Sequence, residues 1–235
     1  EIVEPRTDLD HAGNFFYMLF GKEASPATRK VLDACLILHA EHQMNASTFT
    51  ARVTGSTLAN PYQTIASAVG SLSGPLHGGA NEEALRQFET IGGPEQVKPW
   101  LSGKLAADPK FKVMGLGHRV YKVKDARATV LQEIAEHVFA ETSRPKIYET
   151  ALELERLCAG IYGPKGVYPN VDFYSGVVYQ SLGIPTDLFT PIFAISRTSG
   201  WTAHVLEQLA DNRLIRPQSV YTGPVGLKVV PVEQR

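Results

Sequence analysis

The chain has 235 residues, 43% of them hydrophobic and 20% charged: enough apolar content for one large domain or two small ones, and too much for a disordered chain. With 23 Lys+Arg against 24 Asp+Glu the formal charge is −1, which excludes a global pull toward nucleic acid or anionic lipid and leaves only a local basic pocket to consider. No apolar run is long enough for a membrane span, and the two cysteines, Cys35 and Cys158, cannot build a disulfide framework. Both cysteines sit in helix-like apolar patterns, so buried reduced thiols and a reducing, cytoplasmic setting are expected.

The opening Glu1-Ile2-Val3-Glu4-Pro5 has neither a basic nor an apolar stretch, so no signal peptide is expected there and the chain reads as the interior of something longer. Ser25-Pro26 places an N-cap before a Pro at the first helical position, and Val31, Leu32, Cys35, Leu36 and Leu38 carry a helix to about Gln43. Asn60-Pro61 repeats the start signal, with Ile65, Val69 and Leu72 continuing until Gly74-Pro75 stops the helix. A third helix is predicted from Asn81-Glu82-Glu83 to Gly92-Gly93-Pro94. Asp125 caps a fourth, with an apolar stripe of Val130, Leu131, Ile134, Val138 and Phe139. Further helices are predicted over 145–160, 171–182, 187–197 and 199–211, and Phe111 to Val120 is the main candidate for a short extended segment. No alternating strand series or repeat is present, so the fold class is mostly α. Gly/Pro-rich joints at Gly74–Gly79 and Gly183-Ile184-Pro185 set off 80–186 as a separate helical unit between 1–79 and 187–235.

The common chemical motifs are missing. Gly115-Leu116-Gly117-His118-Arg119-Val120 begins like a dinucleotide fingerprint, but Val120 occupies the third glycine position and no βαβ unit surrounds it. There is no phosphate-binding P-loop, no HExxH and no Gly-x-Ser-x-Gly elbow. His39 and His42 stand three residues apart on a predicted helix face, but no carboxylate or thiol completes a metal shell, and a structural role for His39 is the plainer reading.

Three segments ask for a chemical explanation. Ser73-Gly74-Pro75-Leu76-His77-Gly78-Gly79-Ala80-Asn81-Glu82 sets a lone His in a Gly-rich turn before a helix N-terminus, where backbone approaches closely and negative charge is favoured; a helix–helix joint needs no ligand, however. Met114-Gly115-Leu116-Gly117-His118-Arg119-Val120-Tyr121 carries a second His, with Lys122, Lys124 and Arg127 following, a set that also suits a solvated basic surface. Tyr168-Pro169-Asn170-Val171-Asp172-Phe173-Tyr174-Ser175-Gly176 places Asp172 near a helix start among apolar neighbours, either as an N-cap or as a base whose pKa burial raises. Two donor imidazoles, a carboxylate in an apolar setting and isolated arginines together suit proton abstraction beside a carbonyl.

At these three segments the sequence resembles the citrate synthase family, in the family's order and spacing and in the bacterial-type wording. The resemblance covers essentially the whole chain, including Leu38-His39-Ala40-Glu41-His42 and Arg216-Pro217-Gln218. It implies an all-α fold in which a smaller helical domain, here 80–186, closes over an active site on a larger domain formed by 1–79 and 187–235, with further family helices preceding Glu1. It implies that Asp172 takes a proton from the acetyl-CoA methyl group, that His77 hydrogen-bonds the thioester oxygen, and that His118 polarises the oxaloacetate ketone. His42, Arg127 and Arg197 would hold oxaloacetate and citrate carboxylates, with Phe193 packing near them. Val113, Met114, Gly115, Leu116 and Gly117 would line the coenzyme A site. Arg216 would cross a homodimer interface into the partner's site, and no metal or other cofactor would be needed. Ala126 and Leu116 depart from the family's usual Pro and aromatic residue without removing a catalytic group.

The nearest rival is 2-methylcitrate synthase, which uses propionyl-CoA with the same groups; a one-methylene difference in a pocket is worth only about 1–3 kcal/mol. A non-catalytic helical scaffold and a metal-dependent lyase built on His39 and His42 are further alternatives. Intact His77, His118, Asp172, Arg127 and Arg197 argue against the scaffold, and a lyase predicts inhibition by chelators.

Overall fold

A computed structural model describes residues 2–118, 120–140 and 144–235; Glu1 and Arg119 lie outside the described residues, as does the Val138 side chain. Ten α-helices run in chain order among them: α1 His11–Phe20, α2 Pro26–Ala40, α3 Ala46–Ser56, α4 Pro61–Leu72, α5 Ala80–Ile91, α6 Pro94–Ala107, α7 Ala126–Ala140, α8 Lys146–Tyr162, α9 Val171–Ser181 and α10 Phe189–Ala210. The mostly α expectation holds. Where Phe111 to Val120 was expected to be extended, the described residues form no strand: the backbone turns at Met114 and Gly115, and Leu116 forms only a single antiparallel bridge with Pro169.

Caps account for most of the starts. Ser25 accepts from the Thr28 amide at 3.1 Å, and Asn60 and Gln63 form a reciprocal capping box at the head of α4. Asp125 accepts from the Arg127 amide at 2.9 Å to begin α7. The structure adds three helices that the pattern did not announce, α1, α3 and α6; α1 and α3 are capped by Asp10 and Asn45. Their apolar stripes are short or diluted, and tertiary packing decides them.

Two predicted helices, 187–197 and 199–211, are one continuous helix, α10. Gly200 does not break it; it lets α10 pack against the end of α2, where an added Cβ would lie 2.2 Å from the Ala40 carbonyl oxygen. The predicted stripe of α7 is also shifted: Leu131 and Phe139 are buried with Ala128 and Ala135, whereas Val130 is 38% exposed.

Two apolar cores result. The larger gathers Leu32, Cys35 and Leu36 of α2 with residues of α5 to α9, and reaches Phe189 and Ile192 at the start of α10. The smaller holds Ala51, Ala68, Leu72, Phe193 and Trp201, from α3, α4 and the middle of α10. Helix α10 therefore belongs to both cores, and residues on it between Phe193 and Trp201 sit where they meet. Both cysteines are buried and free, with burial pushing each thiol up to about 12.

Candidate active site

The described residues of the three singled-out segments are helix–helix connections, two of which run on into the first turns of α5 and α9. The His77 turn follows α4; the Gly78 amide donates to the Leu72 carbonyl at 2.8 Å, so tightly that a Cβ on Gly78 would meet that oxygen at 2.5 Å. The His118 loop is tied to the head of α9. Gly117 N–H donates to Tyr168 O at 2.8 Å, Asn170 N–H to Gly115 O at 2.9 Å, and the Asn170 side-chain amide to Gly117 O at 2.9 Å. Gly115, at φ +77°, lies against the Phe173 backbone, 2.9 Å from where its Cβ would be.

These connections converge on one pocket of about 120 Å³, lined by His42, Asn45, His77, His118, Arg127, Asn170, Val171, Asp172, Phe193 and Arg197. All three predicted catalytic residues and four of the five predicted substrate-binding residues are therefore neighbours. The fifth, Arg216, is exposed on the segment after α10 and does not reach the pocket within this chain.

Fixed donors set the imidazole protons. His118 Nδ1 faces the amides of Val120 and Tyr121 at 3.1 and 3.2 Å, so Nδ1 carries a lone pair and Nε2 the proton. Nε2 points at His42 Nε2, 3.1 Å away, which must then accept. His77 Nε2 faces the Ser47 amide at 3.3 Å and the rotatable Ser47 hydroxyl at 2.9 Å, which leaves His77 Nδ1–H free as a donor. Burial holds all three rings below the usual imidazole range, His42 at about 4, with the nearby Arg127 guanidinium acting in the same direction on His42 and His118 and Arg197 on His77. Near pH 7 they are neutral donors and acceptors.

Asp172 behaves oppositely. Burial raises its carboxyl to about 6, and Oδ1 is buried without a hydrogen-bond partner. The capping role that competed for this residue belongs instead to Asn170, which accepts from the Asp172 amide at 2.9 Å. The carboxylate is thus left unengaged beside the pocket, as a base requires.

The two arginines differ in how they are held. Arg127 is braced through Nε and Nη2 by the Asp125 carboxylate at 3.1 and 2.7 Å. Arg197, 2% exposed, donates Nε to the His39 carbonyl at 2.6 Å and lies 4.8 Å over the Phe193 ring; among the described residues no carboxylate pairs with it. Burial lowers it to about 10, so it stays charged. Glu41 and Asp172 act on this guanidinium only through space, and with no carboxylate bonded to it the pocket is attractive to a small carboxylate ligand.

A second cleft of about 400 Å³ adjoins the His118 loop, lined among others by Lys110, Lys112, Val113, Leu116, Gly117 and Lys165. It contains Val113, Leu116 and Gly117 of the predicted coenzyme A segment. Met114 and Gly115 do not line it: the Met114 amide is turned to Gln87 and Gly115 to Phe173. The metal alternative loses its geometry, because α2 ends at Ala40 and His42 lies beyond it, while His39 is fully buried with Nδ1 donating to Cys35 O at 2.8 Å. Among the described residues no group of three His, Cys, Asp or Glu is placed to hold a metal ion.

Several residues in or beside these pockets carry little signal in the sequence. Asn45 and Asn170 are visible only as helix caps, and Ser47, whose hydroxyl also accepts from buried Trp201 Nε1 at 3.0 Å, carries no local signal at all. Lys110, Lys112 and Lys165 become a cluster only once the loop and the end of α8 are packed together.

A family model described as citrate synthase, C-terminal domain, matches residues 1–218. The citrate synthase of Synechocystis sp. is 56% identical over 233 residues, covering 99% of this chain and 58% of that protein. The solved ternary complex of carboxymethyl coenzyme A and oxaloacetate with citrate synthase from Thermoplasma acidophilum is 40% identical, with a TM-score of 0.92 over 98% of this chain and 61% of that one. A 2-methylcitrate synthase from Shewanella oneidensis is 42% identical over 234 residues, 99% of this chain and 61% of that protein. The chain spans 58% of the length of the Synechocystis citrate synthase, and 60 and 62% of two further curated citrate synthases that it matches.

Proposed function

The chain belongs to the citrate synthase family, and from that premise we propose that it carries the active site of a transferase that condenses acetyl-CoA with oxaloacetate and hydrolyses citryl-CoA to citrate and CoA. The observation that carries this reading is the single pocket that joins His77, His118 and Asp172 to Arg127 and Arg197.

A carboxylate is a weak base for a thioester α-proton, so the enol must be stabilised as it forms; one well-placed donor supplies about 3 kcal/mol. Asp172, unengaged and raised toward neutral pH, takes the methyl proton while His77 Nδ1–H donates to the thioester oxygen. The enol carbon then attacks the ketone of oxaloacetate, and His118 Nε2–H donates to its oxygen and delivers the proton to the new alkoxide. In this account the substrate oxygen takes the place that His42 Nε2 holds opposite His118, and His42 turns to a carboxylate alongside Arg127 and Arg197. Water cleaves the C–S bond of citryl-CoA, releasing CoA thiol and citrate. No metal or cofactor enters any step.

The cleft at Val113, Leu116 and Gly117 is the proposed coenzyme A site, where Lys110, Lys112 and Lys165 suit phosphate groups. Residues 80–186 are the proposed closing unit, since they carry Arg127, His118 and Asp172, while His77 and Arg197 lie outside or at its edge. Closure would exclude water from the enol. A homodimer is proposed in which exposed Arg216 serves the partner's pocket; the exposed Leu214, Val220 and Val225 beside it support an interface there. The reduced, buried cysteines fit a cytoplasmic protein, and the reaction places it at the entry to the tricarboxylic acid cycle.

The test is release of CoA thiol by the full-length protein from acetyl-CoA, with and without oxaloacetate, and from propionyl-CoA in parallel. Oxaloacetate-dependent release that favours acetyl-CoA and is lost in Asp172→Ala is expected. Preference for propionyl-CoA would move the assignment to 2-methylcitrate synthase, and no release from folded protein would overturn both.

A further inference from the structure

Helix α9 carries more than the proposed base. Asp172, Ser175 and Tyr179 stand at i, i+3 and i+7, on one face over two turns. Each ends in a buried polar atom without a hydrogen-bond partner: Asp172 Oδ1, Ser175 Oγ and Tyr179 OH. Ser175 and Tyr179 are fully buried. The neighbouring ring from α2, His39, is 6.3 Å from the Tyr179 ring and adds a fourth such atom, Nε2. Because His39 Nδ1 is committed to the Cys35 carbonyl, Nε2 presents a lone pair.

Ser175 is unusual in its own setting. Ser181, Thr198, Ser199 and Thr202 on α9 and α10 all turn their hydroxyls back onto carbonyls three or four residues earlier. Thr190 and Ser196 of α10 bond the Gly78 and Leu36 carbonyls instead, whereas the Ser175 hydroxyl has no partner among the described residues and is free to serve a group on the Asp172 side. Native proteins satisfy polar atoms buried this deeply through neighbouring hydroxyls and ordered water.

No two of these four atoms bond directly in this structure; we propose that Ser175 and Tyr179, ending on His39, close through side-chain rotation and ordered water into a reversible hydrogen-bond relay behind Asp172 that positions the carboxyl and supports it in both protonation states. The relay rests on Asp172 being the base. A base must be a carboxylate before proton abstraction and a carboxylic acid after it. Fixed backbone amides would serve only the charged form, whereas hydroxyls donate to a carboxylate and accept from an acid by rotating. Burial above all, and then the neighbouring Cys35 thiol and the Asp172 charge, keep the Tyr179 phenol protonated and available as a donor. Ser175 and Tyr179 are thus positioning residues and touch no substrate.

The other groups that bear on Asp172 are Arg127 and Asp125 at the head of α7, Arg197 from α10, and the imidazoles of His42, His77 and His118 around the pocket. Glu155 of α8 and Glu89 of α5 also reach α9, but bond Tyr174 and Gln180, off this face of the helix.

The test is the pH profile of kcat at saturating substrates in full-length Ser175→Ala, Tyr179→Phe and Asp172→Asn. Loss of a donor to the charged form should move the acidic limb of Ser175→Ala upward by about one pH unit, with a smaller upward shift in Tyr179→Phe. A merely structural role would lower the thermal midpoint and leave the limb in place, which would overturn the relay. If Ser175→Ala does not fold, the near-isosteric Tyr179→Phe decides alone. An active Asp172→Asn overturns the base assignment and the relay with it; an inactive one with unmoved limbs in the other two variants overturns only the relay.

Discussion

His118 Nε2 lies 3.1 Å from His42 Nε2 although the two residues are 76 positions apart, and the amides of Val120 and Tyr121 on the far side of the His118 ring dictate which of the pair donates. Two neutral imidazoles are thereby held ready to exchange their mutual bond for a ligand oxygen. Replacing His118 with Ala removes that donor and should lower kcat by about 10²–10³-fold, the usual cost of losing one preorganised donor. His42→Ala should act chiefly on the KM for oxaloacetate. Steady-state CoA release over a range of oxaloacetate concentrations separates the two effects.

Stability should fall on mild acidification. His39 and His42 are held at about 4 by burial, below the ordinary 6.5, so between those values the unfolded chain binds more protons than the folded one. Folding stability therefore rises with pH across that window, by up to about 3 kcal/mol for fully buried His39 and by less for half-buried His42, where solvent screens the effect. Asp172, raised to about 6, works in the opposite direction below that value and offsets part of the loss. Urea unfolding at pH 7 and pH 5 should show the lower midpoint at pH 5, and a fully folded His39→Gln should show a shallower dependence.

Asp172→Asn should separate function from stability. Turnover is expected to vanish, while removal of a carboxylate that pays to be buried should stabilise the fold at pH 7 by about 1–3 kcal/mol. Calorimetry at pH 7 checks this; a drop in the midpoint would show that the charge is held by Arg127 and Arg197 more strongly than burial penalises it.

Gly200→Ala should be severely destabilising, since its Cβ would sit 2.2 Å from a backbone oxygen of α2 that cannot move without shifting the helix. About 3 kcal/mol is expected from overpacking at such a contact. Because Arg197 and the His39 carbonyl flank the same junction, any folded variant should also bind oxaloacetate more weakly. Equilibrium unfolding and substrate titration measure the two consequences.

Ser47→Ala strips the acceptor from buried Trp201 Nε1 and a partner from His77 Nε2. A cost of about 1–3 kcal/mol follows from leaving the indole N–H unpaired. Trp201 is one of two tryptophans, so its fluorescence should report the change, together with reduced turnover as His77 loses one of its restraints.

What the amino-acid sequence determined by itself was local. Caps together with apolar spacing placed α2, α4, α7 and α9, because a side-chain oxygen two or three residues from an amide needs nothing beyond the chain itself to start a helix; α5 and α8, which have no side-chain cap, were placed by apolar spacing and flanking Gly and Pro. The three glycine-flanked or cap-flanked segments also announced His77, His118 and Asp172 as residues in need of a chemical reason. Tertiary structure decided the rest. It made α10 one helix, since only the approach of α2 explains Gly200, and it gave α3 and α6 a face to bury. It placed Ser47 beside His77 and Asn45 in the pocket, turned Gly115 toward Phe173, and left Asp172 Oδ1 without a partner. Burial and hydrogen-bond partners are properties of groups far apart in the chain. The neutral imidazoles and the raised carboxyl therefore exist only after packing has excluded water from them.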